Sequence, residues 1–501
     1  MITMEKMQID IKKQFNIERL KNILLVVLVF TTILLLYFLW GSKSLEAFIF
    51  NDDNEPYEVL SSEQVLVPDQ IVLGGGNEDY IVVTDKKEEL WKDQVLKTFR
   101  DFSKGTNILV EEITEEEYKD AMKYPSIFAK FQYNIPFTDF CKEFDIKQQQ
   151  GYDNISNMTE IGFSKGSAEG TFIYDGNKKK YYWILGNKAL QISDQLDSLF
   201  AQQQAIPYFP LKTYLGSEST NDTLVPVESP IAPIPLDYKK DISMEQKNAI
   251  EALAQSYFGK TLDFVRTLEE TNEKIVYMYG YGQKVLIINP NDGSIEYKEE
   301  IKSNNAEQQS MFASLDAALN FIGAHGGFQT MAGEKIKPYL ESASPIDDKK
   351  NSYQFIFGFE CGKNKVFYQD NMPIIIDVKD GQISYFRKEL INFDENQAQK
   401  NSEEERISAI NMLALNYNYI SAKAGLETKQ DQKELSFEDV ANRIDNLYMG
   451  YLKPAIKLST DGTADKEKSL QLVPVWALEV NGVCLYFDLY SGQPKGYSKA
   501  Y

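Results

Sequence analysis

The stretch that decides how this chain is organised is 23–40, ILLVVLVFTTILLLYFLW, which contains no charged residue. A helix rises about 1.5 Å per residue, so a stretch of this length spans roughly 27 Å, close to the thickness of a bilayer core. The apolar core of a cleavable signal peptide is shorter and ends at small residues, whereas this one ends in Tyr37, Phe38 and Trp40. The stretch predicts a retained transmembrane anchor, with removal as a signal peptide the alternative.

Charges on the two sides of the predicted span indicate its orientation. The basic residues that precede it are Lys6, Lys12, Lys13, Arg19 and Lys21. After it come Lys43 and then three acidic residues between positions 52 and 55. Because basic loops stay inside, residues 1–22 are predicted to be cytoplasmic. We therefore expect a single-pass protein of the cell membrane with most of its chain extracytoplasmic.

Length and composition limit the function classes. The chain has 501 residues, of which 43% are hydrophobic and 13% aromatic, enough to fold several domains. A net charge of −21 repels nucleic acid and anionic headgroups, so nucleic acid is not expected as a partner. Cys141, Cys361 and Cys484 are far apart in sequence, which predicts stabilisation by packing, with one accidental disulfide the alternative.

Residues 41–64 are predicted to be a tether, and 65–205 an N-terminal α+β domain. Alternating apolar residues and turn signals predict its strands, while capping patterns predict its helices. The predicted strands are 65–73, 80–84, 127–133, 171–174 and 181–185, and the predicted helices begin at Asp85, Thr114 and about Ile192.

Six prolines between 206 and 238 predict an extended connector and the main domain boundary. Beyond it, 239–390 is predicted to be an α+β domain with two helix-plus-sheet units, and 391–501 a C-terminal α+β domain. The predicted helices are 243–258, 314–322, 403–421 and 437–447, and the predicted strands are 274–280, 284–288, 353–359, 365–368, 373–378, 472–480 and 483–489. The fold class is therefore α+β with antiparallel sheets.

The sequence contains one histidine, His325, which excludes multi-histidine zinc sites and H-E-x-x-H proteases. We expect His325 to end a helix. Residues 162–166, GFSKG, match the spacing of a nucleophile elbow, but a predicted strand follows and only His325 could serve as base. A flexible loop is the favoured interpretation, and a serine hydrolase built on Ser164 is the alternative.

No cofactor or metal site is predicted. Residues 74–76, GGG, lack the lysine of a phosphate-binding loop and indicate a hairpin turn. The acidic loops 51–55 and 459–465 could hold calcium, although neither has the spacing of an EF-hand. Whether they bind calcium stays open.

Aromatic residues supply the candidate binding surface. Tyr277, Tyr279 and Tyr281 are predicted to share one strand face, and a second row runs through 353–359. Together with Trp476, such rows could stack sugars or receive a partner protein, or they could pack beneath a helix.

Two threonines lie in the middle of the predicted span. Thr31 and Thr32 could bond to a neighbouring membrane helix, or simply back to carbonyls of their own helix.

Several stretches resemble the YycH family, single-pass extracytoplasmic regulators encoded beside the YycG (WalK) cell-wall histidine kinase of low-GC Gram-positive bacteria. The matching residues are the basic N-terminus and span, VPDQIVL at 67–73, Asn77, 80–85, and IPF at 135–137. The stretch 473–482, VPVWALEVNG, with 486–492, is similar to the last sheet of YycI and of PepSY-type domains.

The resemblance implies a non-enzymatic regulator that modulates the kinase by protein contacts within and outside the membrane, together with a YycI-like partner. Activator and inhibitor are equally open, because a binding protein shifts a kinase only through unequal affinity for its two states. A cell-envelope binding protein, or one that restrains a protease through PepSY-like domains, is the alternative.

Overall fold

The computed structural model describes residues 57–499 together with Leu25, Leu28 and Thr31. Within 57–499 the undescribed positions are 85, 168–169, 187–190, 204–205, 217–218, 228–232, 260, 272, 303–308, 347–351, 394–401, 403, 427–434 and 456–469. Apart from those three residues, the predicted span 23–40 lies outside the described residues, as do residues 1–22, most of the tether and both acidic loops. No helix in the described part of the chain is long and apolar enough to cross a membrane.

The chain divides into two compact units, Met1–Pro56 and Tyr57–Tyr501. Within the second unit, the described strands form two sheets. Those of the first sheet are β1 (Gln70–Gly76), β2 (Asp79–Val83), β3 (Leu109–Ile113), β4 (Pro125–Pro136), β5 (Asn157–Ser164), β6 (Gly170–Asp175), β7 (Lys180–Leu185), β8 (Tyr208–Pro210) and β9 (Leu224–Pro226). They are antiparallel neighbours in the order β3-β7-β6-β5-β4-β1-β2-β8-β9.

Short helices accompany the first sheet. They are α1 (Ser62–Val65), α2 (Lys87–Glu89, a π-helical Leu90–Leu96 and Lys97–Ser103), α3 (Glu115–Met122), α4 (Phe137–Glu143), α5 (Leu196–Gln202) and α6 (Lys212–Leu215). The capping box predicted for α3 is confirmed, because the side chains of Thr114 and Glu117 each accept a hydrogen bond from the other's backbone N–H. Trp91 and Phe99 of α2 are fully buried in the core.

The hairpin around the three glycines is confirmed in outline. Strand β1 runs through Gly76, and the turn itself is made by Asn77 and Glu78, which both have positive φ. A Cβ on Gly75 would lie 2.7 Å from the ring of Phe200, so this position needs glycine for the close approach of α5.

The second sheet is built from the rest of the chain. Its described strands are β10 (Leu236–Lys240), β11 (Arg266–Glu269), β12 (Ile275–Tyr279), β13 (Lys284–Asn289), β14 (Ser294–Glu299), β15 (Lys337–Pro345), β16 (Ser352–Cys361), β17 (Asn364–Tyr368), β18 (Ile374–Lys379), β19 (Gln382–Glu389), β20 (Ile391–Phe393), β21 (Ile444–Lys453), β22 (Gln471–Val480), β23 (Val483–Asp488) and β24 (Pro494–Lys499). The main order is β11-β12-β13-β14-β19-β18-β16-β17-β21-β22-β10-β20, with β15 beside β16 and β23 and β24 beside β22. Among the described strand pairs, the pair of β17 with β21 is parallel and the others are antiparallel.

The described part of this half of the chain also contains three longer helices, α7 (Lys247–Phe258), α8 (Met311–Ala324) and α9 (Ala409–Lys423), and the short α10 (Phe437–Ala441). Short 3-10 helices lie at Tyr152–Asn154, Lys165–Ser167, Gln191–Asp194 and Gly280–Gly282. Helix α8 packs on β16 and β18, over the buried rings of Phe355 and Phe357. The second aromatic row therefore packs beneath a helix, one of its two predicted roles.

Some predicted elements are wrong in type. The helix predicted over 437–447 ends at Ala441, and the chain then enters strand β21. This strand lies inside the sheet between β17 and β22, and its second half, 450–453, is buried on both faces and shows no alternation. At the other end of the chain, Val65 belongs to a helical turn and not to a strand. Strands β15 and β24 had no predicted counterpart.

The proline-rich segment 206–238 contributes to the core, contrary to the interpretation as an external connector. Its strands β8 and β9 extend the first sheet, while β10 pairs with β22 and β20 of the second. Leu211 and Val225 are fully buried in the same apolar cluster as α9 and α10. Pro210 and Pro226 end short strands, where a missing N–H costs little. The domain boundaries themselves stay a prediction.

Candidate functional site

The structure separates the three tyrosines of the predicted surface. Tyr277 on β12 is buried, whereas Tyr279 is 44% exposed at the end of the same strand. Tyr281 lies beyond the strand, in a turn with φ of 57°, and is fully exposed. The prediction that all three share one strand face is wrong, because the chain turns after Tyr279.

Exposed aromatic residues nevertheless lie near the ends of two paired strands of the second sheet. Phe264 lies in the turn just before the outermost strand β11, and β11 pairs with β12, the strand that carries Tyr279. Phe264 is 87% exposed. Exposed rings of this kind are typical of interaction sites. We define Phe264, Tyr279 and Tyr281 as the aromatic tip.

Trp476 does not belong to a surface. Its side chain is 1% exposed within the apolar cluster under α9, and its indole N–H donates to the carbonyl of Ile407 at 3.2 Å. The inclusion of Trp476 in a binding surface is therefore wrong. Trp476 lies on β22 beneath α9, so its ring contributes to the packing of the core.

The residues considered for catalysis are held in structural roles. Ser164 is 1% exposed at the end of β5 and donates its hydroxyl to the carbonyl of Ala121 at 2.5 Å. His325 caps α8 as predicted, with Nδ1 2.7 Å from the carbonyl of Phe321, and burial lowers its pKa to about 4. In the described part of the chain, no three His, Cys, Asp or Glu side chains are arranged to hold a metal ion. The three cysteines are buried and form no disulfide.

One threonine of the predicted span is described. Thr31 donates its hydroxyl to the carbonyl of Leu28 at 3.0 Å, one turn earlier in its own helix. This is the back-bonded alternative, and Thr32 lies outside the described residues.

The described end of the predicted tether, from Tyr57 onward, packs on α8. A Cβ on Gly323 would lie 2.6 Å from the side chain of Val59, and one on Gly327 would lie 3.3 Å from that of Tyr57. Glu58 forms an ion pair of 2.5 Å with Lys335. The described residues of the predicted tether therefore contact the second sheet's helix before the chain enters the first sheet.

A cluster of charged, amide and phenol side chains lies where the first sheet meets the second. We define this junction cluster as Asp69, Gln132, Glu341, Lys365, Asn446, Tyr448 and Glu479. Asp69 and Gln132 come from the first sheet's part of the chain, and the others from β15, β17, β21 and β22.

Lys365 is the centre of the junction cluster. Its ammonium pairs with Asp69, lies 3.4 Å from Glu341 Oε2, and donates to Gln132 Oε1 at 3.2 Å. It also lies 4.5 Å from the centre of the Tyr339 ring. Burial alone would lower the pKa of Lys365, but Asp69 and Glu341 raise it above its ordinary value. Lys365 is therefore charged at every pH of interest.

Glu479 has amide partners instead of a cation. Its Oε2 accepts from Asn446 Nδ2 at 2.7 Å, and its Oε1 accepts from Gln132 Nε2 at 3.4 Å. Burial first, and then the negative charges of Asp69 and Glu341, raise the pKa of Glu479 to about 7. Burial likewise raises the pKa of Glu341. Keeping all the carboxylates of the cluster ionised therefore costs free energy.

An irregularity in β4 brings Gln132 to the junction. The pairing of β4 with β5 breaks between Lys130 and Ile135, and Gln132 lies in that stretch. Its Nε2 also donates to the hydroxyl of Tyr448 on β21 at 2.9 Å. The amide thus links the first sheet to the C-terminal strands.

A more exposed set of ion pairs surrounds the junction, and we call it the rim. Lys337 Nζ lies 2.9 Å from Glu88 of α2 and 2.8 Å from Glu360 of β16. Lys87 Nζ lies 3.9 Å from the same Glu360. Lys337 is 53% exposed, so its pairs are weak.

A second buried cluster lies on the other face of the β17–β21 pair. We define this inner cluster as Arg387, Glu389, Lys453 and Tyr368. Glu389 Oε1 lies 3.3 Å from both Arg387 Nη2 and Lys453 Nζ, and these three side chains are between 5% and 7% exposed. Tyr368 and Lys365 are three residues apart on β17, so they point to opposite faces.

Comparison with known proteins identifies the family. A family model, the N-terminal domain of YycH protein, matches residues 18–182. The crystal structure of YycH from Bacillus subtilis covers 86% of this chain and 98% of its own, with a TM-score of 0.52 and 12% identity. Residues 18–182, about a third of the chain, thus carry the YycH N-terminal domain. The fold of the chain is similar to that of the Bacillus subtilis protein over most of its length.

Two other solved structures are less similar to the chain. An uncharacterized protein from Eubacterium rectale covers 56% of the chain at 13% identity with a TM-score of 0.30. The Bacillus megaterium YpeB C-terminal domain covers 52% at 9% identity with a TM-score of 0.25. Scores this low do not establish a common fold. No curated protein matches the sequence.

Proposed function

We propose that this YycH-family protein is a membrane-anchored extracytoplasmic regulator that modulates a sensor histidine kinase of the YycG (WalK) type by protein contacts. The observation that carries the proposal is the match of residues 18–182 to the YycH N-terminal domain, which supports a role in two-component regulation. The described residues add no catalytic constellation, since Ser164 is buried and bonded to a backbone carbonyl. We propose a binding protein and not an enzyme.

The apolar stretch 23–40 is the proposed anchor and one of the proposed contact regions. A span with no enzyme attached shifts a kinase equilibrium only by binding its two states unequally. The described end of the predicted tether packs on α8 through Tyr57 and Val59, and the chain then supplies Asp69 to the junction cluster.

The test uses the full-length protein beside a version in which 23–40 is replaced by an unrelated apolar span. Photo-crosslinking in the membrane followed by purification should recover a histidine kinase with the native span and less of it with the replaced one. A Thr31→Val, Thr32→Val double variant serves as a milder control, because the Thr31 hydroxyl bonds to its own helix. Recovery of no kinase by either protein would contradict the proposal.

A partner similar to YycI is proposed to join the complex outside the membrane. The aromatic tip is the candidate contact, since Phe264 and Tyr281 are exposed by 87% and fully. Replacing all three rings by serine should weaken capture of the partner while leaving the buried Tyr277, and hence the fold, unchanged. Tyr214→Ser, at another exposed tyrosine, is the matched control.

The alternative function, binding of a cell-envelope ligand or restraint of a protease, is favoured by one observation, the same aromatic tip. Exposed rings stack on sugars as readily as they receive a protein. Association with cell-wall material that survives replacement of the span, and is lost in the tip variant, would favour this alternative over the kinase regulator.

A further inference from the structure

The junction cluster carries an excess of buried negative charge. It contains three carboxylates, Asp69, Glu341 and Glu479, and one ammonium, Lys365. The side chains of Asp69, Glu341 and Lys365 are 8%, 12% and 12% exposed, so water screens their charges poorly. Lys365 neutralises one carboxylate by direct pairing and lies farther from the second. The third, Glu479, receives only amide hydrogen bonds.

The groups that face Glu479 come from every element packed around it. They are Asn446 and Tyr448 on β21, Cys484 and Tyr486 on β23, Glu341 and Tyr339 on β15, Lys365 and the cavity-lining Tyr368 on β17, Gln132 on β4, Asp69 before β1, and Ser498 and the exposed Lys499 on β24. The pKa values of the tyrosines and of Cys484 are all raised by burial, so these groups stay neutral. Among the described residues of this set, Lys365 is the buried cation.

Glu341 and Glu479 also line a small cavity with room for about one water molecule. A proton can therefore reach the carboxyl group without unfolding of the surrounding strands. Two neighbouring carboxylates in a poorly solvated site do not both stay ionised when one of them can take up a proton.

We propose that Glu479 is a proton-binding site which makes the contact between the first sheet and the C-terminal strands dependent on pH near neutrality. A proton on Glu479 removes its repulsion with Asp69 and Glu341 and leaves the amide bonds of Gln132 and Asn446 to hold a neutral group. Above neutral pH the ionised group loosens the same contact. The inference concerns the chain alone and does not rest on the proposed kinase regulation.

The direction of the effect follows from proton linkage. Burial and like charges raise the pKa of Glu479 to about 7, above the value of an exposed glutamate, so the closed junction binds the proton more tightly than the open one. Closing is therefore favoured as pH falls from about 8 towards 5. From these two pKa values, the opening equilibrium constant should fall about tenfold between pH 8 and pH 6.

Two other buried groups have shifted pKa values, and their contribution to the pH dependence must be separated from that of Glu479. The pKa of His325 is lowered to about 4 and that of Lys388 to about 8, both chiefly by burial. Both lie outside the junction cluster, beside the end of α8. They contribute equally to the wild type and to a Glu479 variant, so the difference between the two proteins isolates Glu479.

Hydrogen–deuterium exchange on the full-length protein in detergent tests the proposal, with rates corrected for the intrinsic pH dependence of exchange. In the wild type, opening of peptides from β4 and β22 should become about tenfold rarer between pH 8 and pH 6. In Glu479→Gln, which imitates the protonated form, opening at pH 8 should already be as rare as in the wild type at low pH, with less than a twofold change to pH 6. Glu438→Gln, at an exposed glutamate of α10, should behave as the wild type.

A second variant changes the proton affinity without removing the carboxyl. Asn446 donates to Glu479 and lowers its pKa, so Asn446→Ala should move the pH midpoint of opening upward. An unchanged pH dependence in Glu479→Gln, a junction that opens more often at pH 8 in that variant, or transfer of the whole effect to Glu341→Gln would each overturn the proposal.

Discussion

Two buried clusters lie on opposite faces of the β17–β21 pair, and they have opposite ratios of carboxylates to cations. The junction cluster has three carboxylates for the ammonium of Lys365, whereas the inner cluster has two cations for the carboxylate of Glu389. In the inner cluster, the spare hydrogen-bonding capacity of Arg387 goes to the carbonyl of Met372 at 2.9 Å. The junction cluster contains more carboxylates than cations, so uptake of a proton is the simplest way to reduce its negative charge.

The difference shows how burial changes the role of an ion pair. Within the inner cluster every charge has an opposite partner inside one sheet, and losing any member leaves an uncompensated buried charge. The junction cluster joins segments more than 200 residues apart, and its excess carboxylates weaken the contact that Lys365 makes. We infer that the inner cluster holds the sheet together, while the junction cluster sets how firmly the two sheets adhere.

The largest effect is expected at the centre of the inner cluster. Glu389→Gln leaves Arg387 and Lys453 buried without a counter-charge, and we expect it to lower the free energy of unfolding by about 3–5 kcal/mol. Urea denaturation at pH 8 measures this loss. The same substitution at Glu479 should stabilise the protein at that pH, because it imitates the protonated form, and equal losses at the two sites would contradict the comparison.

The next largest effect is expected from Lys365→Met, which leaves three carboxylates together. At pH 8 the loss should be about 2–3 kcal/mol, because the carboxylates repel one another without screening. The loss should shrink to about 1 kcal/mol at pH 5.5, since burial raises the pKa values of Glu341 and Glu479 and both take up protons as the pH falls. A loss that is the same at both pH values would show that the carboxylates do not titrate.

Smaller effects should distinguish two tyrosines of these clusters. The hydroxyl of Tyr448 accepts from Gln132 at 2.9 Å, so Tyr448→Phe should cost about 1 kcal/mol in urea unfolding. The hydroxyl of Tyr368 is buried without a hydrogen-bond partner among the described residues, so Tyr368→Phe should be neutral or slightly stabilising. The reverse order would place the firmer hydrogen bonding in the inner cluster.

The smallest effect is expected at the rim. Lys337 is 53% exposed and pairs with Glu88 and Glu360, so Lys337→Ala should cost less than about 1 kcal/mol. Raising the salt concentration should remove most of that difference, because exposed charges are screened within about 10 Å at 0.1 M. A larger and salt-independent loss would mean that the rim belongs energetically to the junction cluster.

Elements set by local chemistry were predicted well. The capping box of Thr114 and Glu117 and the hairpin of β6 and β7 each depend on a few neighbouring residues, and both are present. His325 ends α8 for the same kind of reason. Strand β21 was missed because the pattern of its second half reflects burial on both faces, which neighbours distant in sequence impose.

The candidate site shows the same division. The aromatic pattern left open whether these tyrosines are exposed or packed beneath a helix, and only the structure shows that Tyr279 and Tyr281 are exposed while Tyr277 is buried. Trp476 was misassigned because a strand tryptophan can lie on either face, and helix α9 covers the face that it occupies.

The sequence alone determined the apolar stretch 23–40, the α+β class and the exclusion of multi-histidine metal chemistry, because each follows from composition or from residues close together in the chain. The tertiary structure alone decided that Lys365 meets Asp69, and that Glu479 lies among carboxylates without a cation of its own. Such pairs depend on strand order and on the irregular stretch of β4. Charges buried together acquire their pKa values from that arrangement, since burial and neighbouring charge, and not residue type, set the cost of ionisation.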